Sequence, residues 1–126
     1  MSASTIRPLP DGDPETGMGP FDAVNRDNLL EGDPSERAHV FLTNAQGNVT
    51  AGVWECTPCK ERFDRYGVDE LCTILSGSVT VTDADGNAET FGAGDSFLMP
   101  QDFRGTWHIT ETLKKFWMIV APPDGS

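Results

Sequence analysis

The sequence predicts an all-β domain, a β-sandwich or small barrel. Three observations carry that expectation. Val79 and Val81 alternate with Thr80 and Thr82, the period-two pattern of a half-buried strand. Asp85-Gly86 lies between two strand-like runs and marks a hairpin, because glycine tolerates the positive φ that tight turns need. Turn signals recur about every eight to twelve residues, the rhythm of many short antiparallel strands, with no helical period of useful length.

The elements follow in order. Residues 1–20 are rich in Pro, Gly, Asp, Ser and Thr. Such a stretch buries too little to offset its ordering entropy, so it reads as a loose or partner-draped arm. Asp22 to Pro34 have room for one helical turn near Asn28 to Leu30. Strands are expected at Ala38–Thr43 and Val49–Thr57, joined by the turn Asn44-Ala-Gln-Gly-Asn48. Thr57-Pro-Cys-Lys60 ends the second strand, since proline has no donor for the ladder. Further strands are expected at Glu61–Tyr66, Leu71–Leu75, Ser78–Thr82, Ala88–Phe91, Ser96–Met99, Gly105–Glu111 and Leu113–Val120. The expected organisation is an irregular N-terminal arm over 1–37, a barrel over 38–121 and a polar tail over 122–126.

Composition narrows the function. The chain has 126 residues, enough for one domain, and a formal net charge of −11. That charge argues against nucleic acid, whose phosphates need clustered Lys and Arg, and against anionic membrane surfaces. No run approaches the roughly 18 apolar residues of a membrane helix, and the N-terminus has no apolar signal region. Three cysteines cannot complete a disulfide framework, so a reducing, cytoplasmic setting is expected.

Several motifs carry a resemblance. Gly52-Val-Trp54-Glu55 is followed by Asp69-Glu70-Leu-Cys72-Thr-Ile74-Leu75-Ser-Gly77, then Gly92-Ala-Gly94-Asp95, Gly105-Thr-Trp107 and Lys115-Phe116-Trp117. Glu70 with Gly77 fits the second half of the first cupin motif, and Gly94 with Pro100 the first half of the second. Over about residues 50–120 the chain resembles the small single-domain cupins related to ureidoglycine aminohydrolase and the ethanolamine-utilisation cupins. The resemblance implies a cupin (jelly-roll) β-barrel that forms a homodimer, with strand Ala38–Thr43 pairing across the interface.

The departures from the motif are as informative. Where a metal-binding cupin places its first two histidines, this chain has Asp64 and Tyr66, and the third histidine position falls on Gly105. Glu70 and Asp64 are left as the matching ligand candidates, and two-His-one-carboxylate chemistry needs imidazoles. The expectation is therefore no His-based metal site and no cofactor, with Mn, Fe, Ni or Zn left as the alternative. Strand alternation turns His108 outward if Gly105 and Trp107 face in.

Parity from Glu70 puts Asp64, Tyr66, Cys72 and Ile74 on the inner face, joined by Gly105, Trp107, Trp54 and Cys56. A barrel lined by aromatic rings with a few polar groups suits a small-molecule site. Glu70 and Tyr66 are the candidate catalytic pair, and Trp54, Asp64, Cys72 and Trp107 the candidate ligand-binding residues. Cys56-Thr-Pro-Cys59 is a CxxC that reads as buried structural cysteines, a labile disulfide or half of a zinc site. Three functional readings stand side by side. One is a cupin binding an unidentified small molecule without a metal. The second, implied by the resemblance, is a metal-dependent hydrolase releasing ammonia, like ureidoglycine aminohydrolase. The third is a structural or sensory barrel filled by its own side chains.

Overall fold

The computed structural model describes residues 4–122, so part of the expected tail lies outside the described residues. Nine strands run in chain order: β1 Gly19–Pro20, β2 Leu29–Glu31, β3 Glu36–Thr43, β4 Val49–Cys56, β5 Cys59–Phe63, β6 Asp69–Asp83, β7 Ala88–Gly92, β8 Ser96–Met99 and β9 Gly105–Val120. A single 3-10 turn, Arg26–Asn28, precedes β2, and the Asn25 side chain accepts from the Asp27 amide to cap it. No helix among the described residues is long and apolar enough to cross a membrane.

Every pairing is antiparallel, and two long strands organise the rest. The C-terminal half of β9 lies between β4 and the first half of β6, whose other side pairs with β8. The N-terminal half of β9 lies between β5 and the second half of β6, whose other side pairs with β7. Each long strand thus passes from one layer to the other. This all-β, jelly-roll arrangement encloses one core, in which Ile74, Leu113, Val53, Val79, Cys56 and Cys72 are completely buried. Burying one such aliphatic side chain is worth about 1.5–3 kcal/mol.

The strand count agrees with the sequence, but its members differ. Leu71–Leu75 and Ser78–Thr82 were expected as two hairpin arms; they form one strand. Gly105–Glu111 and Leu113–Val120 likewise merge into β9. The chain bends here without turning back, through register shifts between Ile74 and Val79. Gly77 sits at that bend with φ 82°, and a Cβ there would collide with the Thr112 carbonyl oxygen.

The N-terminal arm is more ordered than its composition suggests. It supplies β1, which pairs with β3, and β2, which pairs with β5. Buried Glu36 ties it down by accepting from the amides of Ala23 at 2.8 Å and Val24 at 3.2 Å. Lys114 adds an exposed ion pair with Asp11 at 3.0 Å.

Candidate functional site

The two layers and the arm line an open cavity of about 260 Å³. Its walls are largely aromatic: Phe21, Trp54, Phe63, Tyr66, Trp107 and Trp117. Trp117 reaches this position because Gly52 opposite it has no side chain; a Cβ there would run into the indole ring. The Gly52-Val-Trp54 motif therefore supplies one cavity wall and leaves room for another. Tyr66 and Trp107 stack with ring centroids 6.1 Å apart. The indole N–H of Trp107 is buried and has no hydrogen-bond partner among the described residues.

The charged groups form a chain across this apolar setting. Lys115, on β9, donates from Nζ to Glu70 Oε2 at 2.7 Å, and both side chains are almost fully buried. The Tyr66 hydroxyl donates a short hydrogen bond to Glu70 Oε1. The Lys115 ammonium also lies 4.6 Å from the Trp107 ring centroid and 5.1 Å from that of Trp54, within cation–π range. Burial is the strongest single influence on the Lys115 ammonium and pushes it down, but the Glu70 carboxylate and Cys72 together more than offset it, and the net shift is upward. Burial, then the negative charge of Glu70, holds the Tyr66 hydroxyl well above the usual tyrosine value. Burial pushes the Cys72 thiol up to about 12, against the pull of Lys115, whose Nζ lies 3.5 Å from its sulfur.

Two further buried carboxylates stand close by. Glu36 accepts from the Trp54 indole N–H at 2.9 Å as well as from the arm amides. Glu61, on β5 opposite Trp107, lines the cavity. Burial pushes it up to about 7, a shift the Asn25 amide opposes and neighbouring Glu36 reinforces.

Trp54, Tyr66, Glu70 and Trp107 therefore meet at one cavity, as parity predicted. Cys72 is buried behind it, next to Lys115, and does not line the wall. Asp64 is placed differently. It stands at the surface, 79% exposed, in an ion pair with Arg62 at 3.3 Å. β5 ends at Phe63, so alternation counted back from Glu70 does not carry across the loop to Asp64; Glu61 and Phe63 face inward instead. His108 lies 39% exposed beside Glu31 at 3.4 Å. Cys56 and Cys59 are both buried and free, and Cys59 opens β5 where a turn was expected.

Lys115, Glu61 and the arm residues Phe21 and Val24 were not expected at the site. Lys115 had a readable signal: it shares parity with Trp117 in Lys115-Phe116-Trp117, so an inward Trp117 carries it inward. Phe21 and Val24 had none, since nothing local marks where an arm packs.

The fold and the cavity define a cupin barrel. The model of the EutQ-like cupin domain matches residues 43–117, and the chain belongs to that family. No curated protein matches it. A DUF861-family protein of unknown function from Pseudomonas syringae pv. tomato str. DC3000 superposes with a TM-score of 0.79 at 20% identity, over 86% of this chain. The chain covers 46% of that protein, less than half its length. The Clostridium difficile EutQ protein gives 0.59 at 11% identity, over 79% of this chain and 81% of that one. A protein named for ethanolamine utilization (protein Q) from Salmonella typhimurium LT2 gives 0.61 at 14%, over 94% and 98%. At these identities the likeness is one of fold.

Many cupins hold a metal, which needs several converging donors. Among the described residues no three His, Cys, Asp or Glu side chains converge on a point where an ion would sit. At the positions matching the cupin ligands, Asp64 is paired with Arg62 at the surface and Tyr66 is committed to Glu70. These residues do not fit a metal centre.

Proposed function

We propose that this cupin binds a compact, largely apolar small molecule in the barrel cavity, oriented by Tyr66, Glu70 and Lys115, without a metal. One observation carries the reading: an ion pair buried to within a few per cent opens onto an aromatic-walled cavity of about 260 Å³. A buried pair costs several kcal/mol of desolvation per ion, and apolar residues of like volume are often as stable. Such a pair at a cavity wall is well suited to orienting a ligand. The volume lies below the roughly 300–1,000 Å³ of sites for drug-sized ligands, which fits a small metabolite. The remaining cavity also weighs against a barrel filled by its own side chains.

The test is a thermal-midpoint screen of small metabolites on protein stripped with EDTA. Hits are expected, and Glu70→Gln is expected to weaken them about tenfold, the worth of a hydrogen bond to a charged group. Unchanged affinity in the variant, or hits that need a divalent ion, would overturn the reading.

A second reading is catalytic: a hydrolase releasing ammonia, as the ureidoglycine aminohydrolase resemblance implies. The Tyr66–Glu70–Lys115 chain supports it as a possible proton path. Ammonia release from ureidoglycine that disappears in Glu70→Gln would establish it.

A homodimer belongs to the same proposal. Leu42, Met118, Leu71 and Leu98 stand in register across the outer face of one layer, each at least 40% exposed. An apolar row spanning several strands is the kind of surface that interfaces cover. Sedimentation at micromolar concentration is expected to give a dimer, and Leu71→Glu with Leu98→Glu a monomer; a monomeric wild type would refute it. The three free, buried cysteines are compatible with the cytoplasm as the working location.

A further inference from the structure

The three buried carboxylates near the cavity are not equally satisfied. Glu36 accepts from two backbone amides and an indole N–H. Glu70 is met by an ammonium and a hydroxyl. Glu61, only 8% exposed, has one hydrogen bond among the described residues, from the Asn25 amide to Oε2 at 3.1 Å. Among the described residues no ion pair reaches it, and the ammonium of Lys115 is held by Glu70. The buried set thus contains three carboxylates and one ammonium. Glu61 faces the cavity, so a cation there would meet a carboxyl group with no counter-ion among the described residues. Aromatic rings line the same cavity, and the face of such a ring attracts a cation. The long-range field of a chain with net charge −11 acts in the same direction.

We propose that the ligand is a small organic ammonium, its charged head on the free oxygen of Glu61 and its apolar part against Phe21, Trp54 and Trp117. This rests on the small-molecule pocket proposed above and adds the ligand's charge. A primary or secondary ammonium suits the site better than a quaternary one, since Oε1 of Glu61 has no donor and an N–H would supply it. Lys115 completes the selectivity by repelling a head group that strays toward Glu70.

The test uses the full chain and three probes of one shape and different charge: n-butylammonium, n-butanol and butyrate. All three tryptophans of the chain line the cavity, so their fluorescence reports its occupancy. The expected result is saturable binding of n-butylammonium about tenfold or more tighter than n-butanol, with butyrate weakest. Glu61→Gln is expected to remove that preference. The ranking on wild-type protein stands as a test even if the variant folds poorly. n-Butanol or butyrate binding as tightly as n-butylammonium would overturn the ammonium inference and leave the pocket standing. No response to any of the three, in fluorescence or in thermal midpoint, would overturn both.

Discussion

Replacing Lys115 with methionine is expected to cost about 3–5 kcal/mol, the usual loss when one partner of a buried ion pair is removed. Methionine roughly preserves the volume of the side chain, so the loss measures charge and not a cavity. It leaves the Glu70 carboxylate inside the barrel with the Tyr66 hydroxyl as its remaining donor. The fall in thermal midpoint should be on the order of 10–20 °C for a domain of this length. The decisive comparison is with the double variant Lys115→Met, Glu70→Gln, which removes both charges. It should recover much of the loss, because an apolar or neutral pair of similar shape is often as stable as the ions. A double variant as unstable as the single one would mean that Lys115 matters through its packing against Trp54 and Trp107. The pH dependence has a definite sign. The folded protein holds the Lys115 ammonium above its ordinary value of 10.5, so the contribution is complete below that pH. It is lost as pH rises through the raised folded value, in strong alkali.

Gly77→Ala is the second large effect, about 3 kcal/mol or more. Two costs add. A residue with a Cβ at φ 82° gives up roughly 1–2 kcal/mol against its preferred backbone regions. The Cβ also meets the carbonyl oxygen of Thr112 on the neighbouring long strand, and neither backbone can move without shifting the register around it. Gly77 is where β6 passes between layers, so the strain acts on both layers at once. Chemical denaturation of purified Gly77→Ala measures it directly. Stability within about 0.5 kcal/mol of wild type, the usual range for a harmless surface change, would show that the bend does not depend on this backbone.

Much of this arrangement was legible before any coordinates. Alternation and turn chemistry located most strands of the barrel, parity from Glu70 placed Tyr66 inward, and Trp107, inward with Gly105, and Trp54 joined it at the cavity. What failed did so for identifiable reasons. Alternation holds within one strand, and Asp64 lies beyond the end of β5, where the loop resets the count. β6 was divided at Gly77, because a bend and a reversal share the same local chemistry, and β9 was divided at Thr112. Lys115 defied composition, since lysine is almost never fully buried unless paired, and the partner that permits it is forty-five positions away. The arm's place was unreadable because its anchors, Glu36 and Glu61, act through backbone amides that no side-chain pattern reveals.

The position of that arm bears on how selectivity could diverge among chains built on this domain. Phe21, Ala23 and Val24 wall the cavity, yet all three lie outside the residues 43–117 that the family shares. Residues 43–117 of this chain supply the ion pair and most of the rings, while a segment outside that range adds a further wall. Under the ligand reading proposed above, exchanging Phe21, Ala23 and Val24, which lie between strands, is expected to change which molecule is accepted without altering a strand. Two members alike over the shared domain need not have the same ligand.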